Sequence, residues 1–409
     1  MPWAQLAGRY RPPKLATENK LMQVPTRIAD AVVTMPMTAG SLWARDAQGG
    51  IPALFADRQV HYAFQTRVAI RAACDVLGLQ AGDEVLAPAY NCGSELDPLV
   101  HAGLKVRLYP VDADLHAAPA RIEPLITSRT KAVYVIHYFG VLQPDLAGVR
   151  ALCDRHGLRM IEDCALSLLS GKTPAEGQTG DVSVFCFHKF APVLQGGALV
   201  INAPDLKAVN PFPRSAPGKT VAKTLARAGL AHVLGPSRSQ RLLHRLRGPL
   251  HPEMPREEPS GALEDMPGHY YFDPGLCGRG ISAFAARSLR AFSVSGMIAA
   301  RQRNWRRYQQ HLNGMQGVRM LLPELDPHSC PLVMPVVVEK RDRVARELQS
   351  CGIGATPWWA GFSRNLDWTG QDGAMALKDT VLSLPLHQFL GDEHVDYIMS
   401  VLQGLIRDR

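Results

Sequence analysis

The chain has 409 residues, 46% hydrophobic and 20% charged, which suits a packed enzyme and excludes a disordered or fibrous protein. At about 150 residues per domain the length gives two to three domains. The 45 Lys and Arg outnumber the 37 Asp and Glu, for a formal charge of +8, but the excess is local. From Leu206 to Pro252 there is no acidic residue and there are nine basic ones: Lys207, Arg214, Lys219, Lys223, Arg227, Arg238, Arg241, Arg245 and Arg247. Outside that segment the chain is near neutral, which excludes a nucleic-acid-coating role and leaves no nucleic-acid partner. No stretch reaches the ~20 consecutive apolar residues of a membrane span. Arg9, Arg11, Lys14, Glu18 and Lys20 follow Met1-Pro2-Trp3 with no apolar run, so a secretory leader is not expected. The eight cysteines are scattered, with neither C-x-x-C nor zinc-finger spacing, so no metal is expected. They read as reduced thiols in a cytoplasmic protein.

Residues 1–60 carry Pro12-Pro13, Pro25, Pro36, Gly40 and Gly49-Gly50 and read as an N-terminal arm. From there regular periods begin. Val68, Ala69, Ala72, Ala73, Val76 and Leu77 recur at helical spacing over 66–77, with Gly78 as the stop. Strand candidates follow at 84–87, 106–111, 132–137, 159–161, 182–187 and 198–201. Between them, 145–156 reads as a helix with Leu146, Val149, Leu152 and Cys153 on one face and Gly157 as its stop. Residues 282–307 read as one long helix. Beyond it, 333–338 and 381–384 are strands, and 341–349 and 393–406 are helices. The pattern predicts an α/β protein: a large domain over 61–300 interrupted by the basic insertion 206–252, then a small αβ domain over 301–409. Short apolar strands alternating with amphipathic helices imply a mostly parallel sheet covered on both faces. Ligands bind beyond the C-terminal ends of such strands. The candidates there are residues 89–93, His137, Asp163, His188 and Lys189.

Asp163 ends one apolar run and Lys189 follows another. A lysine able to form a Schiff base and an aspartate able to hold a pyridine nitrogen protonated are the least a protein needs for pyridoxal phosphate chemistry. On spacing alone, a solvated ion pair would look the same.

The wider pattern is more specific. Gly82-Asp83-Glu84-Val85-Leu86-Ala87-Pro88-Ala89-Tyr90 resembles the G-D-E-V-(I/L)-x-P-x-(F/Y) signature of the DegT/StrS sugar aminotransferases, a branch of the fold-type-I pyridoxal-phosphate-dependent enzymes. Four further stretches, 127–140, 155–165, 180–198 and 352–387, are similar to the family's motifs in order and near-family spacing. They include Ile161-Glu162-Asp163-Cys164-Ala165 and Leu382-Ser383-Leu384-Pro385-Leu386-His387. The resemblance covers roughly 64–205 and 300–409.

The resemblance implies pyridoxal 5'-phosphate as cofactor, Lys189 as the lysine that carries it and Asp163 as the partner of its ring nitrogen. Thr66 and Arg67 fall where the family's helix N-terminus takes the phosphate, as orphan amides and the helix dipole favour. Tyr90 lies close to the ring-stacking position, which is itself Cys92. Leu166 replaces a glutamine that bonds the cofactor's phenolic oxygen, leaving Ser167 or His137 for that task. Cys186 replaces a serine at the phosphate. No asparagine stands where the family's partner subunit lends one; Arg279 is the candidate substitute. Lys172 is the rival lysine.

Two readings of His188 stay open: a packed strand-end histidine, or the His-Lys pair of cysteine desulfurases, with Cys351 as sulfur acceptor. Trp358, Trp359 and His387 could contact substrate from the small domain or could pack its core. In the basic segment, Lys219, Lys223 and Arg227, and then Arg238, Arg241 and Arg245, lie opposite apolar faces. These are two short helices suited to a peripheral membrane surface or an acidic carrier over 219–247, or to docking on their own domain. The function expected is transfer of an amino group, with glutamate as donor, to a nucleotide-linked keto sugar by a homodimer. A non-catalytic relative serving as a binding module is the alternative.

Overall fold

The computed structural model describes residues 46–111, 113, 115–171, 176–191, 193, 195–207, 210–234, 263–359 and 361–407. Most of the expected arm, Lys172, and the second basic helix with Arg238, Arg241, Arg245 and Arg247 lie outside the described residues.

Seven strands form the main sheet: β1 (Gln59–Ala63), β2 (Glu84–Pro88), β3 (Lys105–Tyr109), β4 (Thr130–Ile136), β5 (Arg159–Asp163), β6 (Val182–Cys186) and β7 (Gly197–Ile201). Their order is β1-β7-β6-β5-β4-β2-β3. Neighbours pair in parallel from β3 through β6, and β7 runs antiparallel to both β6 and β1. Strands β2, β6 and β7 are buried at every position, as strands covered on both faces must be.

Helix α1 (Thr66–Val76) buries Val68, Ala69, Ile70, Ala73 and Cys74 against the sheet. The short helices α2 (Asp97–His101) and α3 (Pro119–Ile122) lie in crossovers. Helix α4 (Leu146–His156) starts where Asp145 accepts a hydrogen bond from the Gly148 amide and stops at Gly157, whose φ of 62° is left-handed. Helix α5 (Gly218–Leu234) is the first of the two predicted basic helices, and its Lys219 and Lys223 are exposed.

Two sequence expectations change. The single helix over 282–307 is broken into α6 (Ala283–Ser288), a 3-10 turn (Leu289–Ala291) and α7 (Val294–Leu312). The reason is local: Ser282 and Ser293 each turn a hydroxyl onto a following backbone amide and start a separate helix. The end of the expected arm is also ordered. The 3-10 helix Ile51–Phe55 buries Ile51 and Phe55 in the main core, and β1 follows it on the sheet.

The smaller sheet is antiparallel, in the order β10 (Thr356–Pro357), β11 (Val381–Leu384), β9 (Met334–Val338), β8 (Val318–Met320). It packs with α7, α8 (Arg341–Ser350) and α10 (Asp392–Arg407) around a second core that includes Trp305, Tyr308, Val336, Leu348, Ile398 and Leu402. Helix α9 (Asp372–Thr380) lies between β10 and β11 in the chain. No helix among the described residues is long and apolar enough to cross a membrane.

Candidate active site

The parallel strands end together. Because β7 runs the other way, its first residue, Gly197, pairs with the last residue of β6, Cys186, beside the N-terminus of α1. A cavity of about 510 Å³ opens there. It is lined by Thr66, Arg67, Cys92, Asp163, Cys186, His188 and Lys189 around the main sheet, and by Trp358 and Trp359, which follow β10.

Asp163 is 3% exposed, and both of its oxygens are held. Tyr134 donates its hydroxyl to Oδ2 at 2.6 Å, and the Ala165 amide donates to Oδ1 at 2.8 Å. Burial pushes the carboxyl pKa up, against the pull of the Tyr134 bond and the Lys189 charge. A cation brought against this carboxylate would be favoured, since it offsets the cost of burial.

Lys189 follows β6 on a tight turn, in which the Phe190 and Ala191 amides donate to the Phe187 carbonyl. The residue after it is pinned. The Phe190 carbonyl accepts from Arg301 Nη2 at 3.3 Å and Gln388 Nε2 at 2.9 Å, and the Arg301 guanidinium lies 5.0 Å from the Phe190 ring centroid. Arg301 is fully buried and spends Nη1 on the Pro331 and Leu332 carbonyls, so the lysine's turn is tied to α7 and to the segment before β9.

The opposite end of the cavity suits an anion. No side chain caps the N-terminus of α1, and its first turn holds no acid. Thr66 donates its hydroxyl to the Phe185 carbonyl at 3.0 Å, which holds the helix start on β6. Gly197 allows this approach, because a Cβ there would sit 2.7 Å from the Thr66 nitrogen. Cys186 Sγ lies 3.3 Å from His188 Nδ1. Burial disfavours the thiolate, but the charge and hydrogen bond of His188, with Lys189 and Thr66, draw the thiol pKa down to about 6. The Cys186 charge in turn raises that of His188. Arg67 donates Nη1 to the His269, Tyr270 and Tyr271 carbonyls, which brings His269 and Tyr270 to the cavity wall.

Five predicted residues lie off this lining. Tyr90 is fully buried behind Trp359, with ring centroids 5.0 Å apart. Ser167 is buried, with its hydroxyl unpartnered among the described residues. His137 sits on β4's end in a polar network: its Nδ1 accepts from the Gln143 amide, so Nε2 donates to Glu162 at 2.9 Å. That Glu162 also accepts from the Gly177, Thr179 and Gly180 amides, so the His137–Glu162–Cys164 cluster is saturated by the backbone. Arg279 donates to the Ser215 carbonyl, and His387 sits in the small domain beside Phe389.

Other residues escaped the sequence reading. Glu95 lines the cavity and accepts from the Cys92 amide at 2.7 Å; burial and the Asp163 charge raise its pKa. Tyr134 lay inside an apolar strand, where a tyrosine reads as core. The β4–β5 register, Ile136 opposite Asp163, was the missing signal that places Tyr134 within reach of that carboxylate.

The fold matches solved structures of known enzymes. TlmJ, an aminotransferase from Streptoalloteichus hindustanus, superposes over 92% of this chain and 98% of its own, with a TM-score of 0.65 and 22% identity. PseC of Helicobacter pylori, an aminotransferase of pseudoaminic acid biosynthesis, covers 94% and 96%, with a TM-score of 0.61 and 16% identity. Spr1654 of Streptococcus pneumoniae, solved in a PLP form, covers 91% and 97%, with a TM-score of 0.63 and 17% identity. The architecture is therefore the one these aminotransferases share, a large mostly parallel sheet between helices with a smaller antiparallel sheet beside it.

Sequence comparison narrows the class. The model of the DegT/DnrJ/EryC1/StrS aminotransferase family matches residues 65–212 and 282–403, and the chain belongs to that family. Among curated relatives, GDP-perosamine synthase of Vibrio cholerae is 32% identical over 144 residues, 34% of this chain and 38% of the relative. The UDP-N-acetyl-3-dehydro-alpha-D-glucosamine 3-aminotransferase of Acidithiobacillus ferrooxidans is 35% identical over 141 residues, 33% and 37%. The matched stretch thus spans little more than a third of either relative.

Proposed function

We propose that the protein is a pyridoxal 5'-phosphate-dependent aminotransferase that moves an amino group, with glutamate as donor, onto the carbonyl of a nucleotide-linked keto sugar. One observation carries the reading: Asp163 and Lys189 face a single cavity whose far end is a helix N-terminus open to an anion. The donor set fits the cofactor. Asp163, oriented by Tyr134 and Ala165, would hold the ring nitrogen in its protonated form. The first-turn amides of α1 with Thr66, and the His188 side of the Cys186–His188 pair, would hold the phosphate. Ser167, next to Leu166 in the chain, has a buried hydroxyl unpartnered among the described residues but lies off the lining.

The cofactor, when bound, supplies an electron sink for negative charge at the amine-bearing carbon of the substrate. Lys189 Nζ takes the proton from that carbon and returns it on the other side of the exchange, and its pinned turn fixes where the amine can reach. Trp358 and Trp359 supply an aromatic wall to the cavity. The sugar-nucleotide acceptor is supported by what the relatives' names say of those proteins. The working unit on this reading is a homodimer in the cytoplasm, with the basic face of α5 available to an anionic surface. Cys351, the sulfur acceptor named for the desulfurase-like reading, lies outside the cavity lining.

Purified protein supplied with pyridoxal 5'-phosphate should take up a yellow absorption band. Lys189→Ala should lose it, and glutamate should bleach it in a half-reaction. A colourless protein that ignores the cofactor would overturn the proposal in favour of a binding module.

A further inference from the structure

Lys378, on α9, is 1% exposed and lies outside the cavity lining. Its ammonium donates to three backbone carbonyls: Asn91 at 2.7 Å, Trp359 at 2.9 Å and Gly361 at 2.9 Å. It also lies 5.0 Å from the Phe362 ring centroid and 4.9 Å from that of Trp368. Asn91 directly precedes Cys92, on the large-domain wall of the cavity, and Trp359 is on the small-domain wall. One buried cation therefore holds both walls.

Trp359 is under strain. Its φ of 58° is left-handed, a conformation that bulky side chains rarely adopt and that persists only where the surroundings enforce it. The hydrogen bond from Lys378 to the Trp359 carbonyl acts on that residue itself. The strained turn sets the Trp359 ring 5.0 Å from Tyr90, 5.8 Å from Tyr138 and 5.8 Å from Trp358. The Trp358 Nε1 is buried and unpartnered among the described residues.

We propose that Lys378 is a positioning residue whose ammonium holds Trp359 in its strained turn and ties it to the cofactor loop, so that Trp358 and Trp359 form the wall against which the ring of the keto substrate packs. Only the identity of what packs there rests on the aminotransferase reading. The clasp does not.

The charge state matters because an ammonium has three donors for the three carbonyls and a neutral amine has two. Burial pulls the Lys378 pKa down to about 8; Cys92 and Glu95 from the cavity loop and Asp379 from its own helix raise it, and Arg341 of α8 lowers it. Loss of the proton therefore frees one carbonyl and loosens the turn.

The test uses the full-length protein and its tryptophan emission, titrated from pH 6.5 to 9.5 without cofactor. The wild type should show a change in emission centred near pH 8. Trp359→Phe should lose most of its amplitude. Lys378→Arg should keep the neutral-pH spectrum and lose the transition, since guanidinium stays charged. Lys378→Met should show the wild type's alkaline spectrum at every pH. A transition that survives in Lys378→Arg or Trp359→Phe, or a Lys378→Met protein with the wild type's neutral spectrum, overturns the proposal. If Lys378→Met does not fold, the arginine variant decides alone. Cofactor uptake by the wild type is scored separately, so a protein that takes up none refutes the function and leaves the clasp to the pH titration.

Discussion

The Asp163 carboxyl is poised by one phenol. Tyr134 lowers its pKa through a charge-assisted hydrogen bond, against burial that raises it. Tyr134→Phe removes that bond without removing the ring, so ionising Asp163 becomes harder. Such a bond is worth about 1.5–3 kcal/mol, or one to two pH units. Since the ionised form is the working one, activity falls as pH drops through the Asp163 pKa. The variant's acidic limb should therefore lie about one unit or more above the wild type's in a rate–pH profile. An unmoved limb would assign it to another group.

Cys186 makes a second residue-scale prediction. With its thiol drawn down to about 6, it is largely thiolate at neutral pH, whereas burial holds Cys74, Cys153 and Cys330 up at about 12. Iodoacetamide should label Cys186 ahead of those three, with a rate that rises through pH 6 and is slowed by pyridoxal phosphate. Peptide mass spectrometry reads the order directly, and equal labelling of all four would remove the thiolate from the anion site.

At the scale of elements, the start of α1 depends on a residue with no side chain. Gly197→Ala would place a methyl 2.7 Å from the Thr66 nitrogen and 2.8 Å from the Phe185 carbonyl, forcing β7 off the helix. The cost expected is about 1–3 kcal/mol in a urea melt, with weaker cofactor binding because the amides move. A variant with wild-type midpoint and wild-type uptake would show the approach to be unimportant.

Much at this scale was legible beforehand. The apolar runs that became β2 and β4 to β7 needed no partner to be recognised, since strands buried on both faces carry the signal in their own composition. The strand-end rule led to residues 89–93, His137, Asp163, His188 and Lys189. The cavity gathers Cys92, Asp163, His188 and Lys189 and leaves Tyr90 and His137 off its lining, while Cys186 came from the family resemblance alone. β1 was not legible: it is a half-exposed edge strand whose Gln59 and His61 break any apolar run. Nor were Tyr134, Arg301 and Lys378. Each reads as core or surface until the register and helix packing show which carbonyl or carboxylate it meets.

At the scale of the molecule, stability should vary with pH through Glu176. This carboxyl is 7% exposed and accepts from the Leu169 amide, and burial lifts its pKa to about 8. An acid whose folded pKa exceeds its unfolded one contributes stability that is fully present below the unfolded value and lost as pH rises through the folded value. The window here runs from about 4.3 to about 8. Glu176→Gln mimics the protonated form at every pH, so its stability relative to the wild type should grow across that window by on the order of a few kcal/mol. Parallel thermal melts at pH 5 and pH 8 would show it, and a constant difference would mean that Glu176 is ionised throughout.

The place of β1 also sets a schedule for the chain as it is made. β1 pairs on the sheet with β7 alone, Gln59 against Ile201, and the neighbouring Arg58 donates to the Glu176 and Gly177 carbonyls. The strand that receives β1 is synthesised last within the sheet, some 140 residues later. At 5–20 residues per second, the segment leaves the ribosome roughly 10–30 s before its seat exists. During that interval β1 is a free strand, and the edge of β6 that β7 will cover joins it only at the end, about ten residues before β7 is made. Chaperone occupancy and misassembly should both concentrate in that interval.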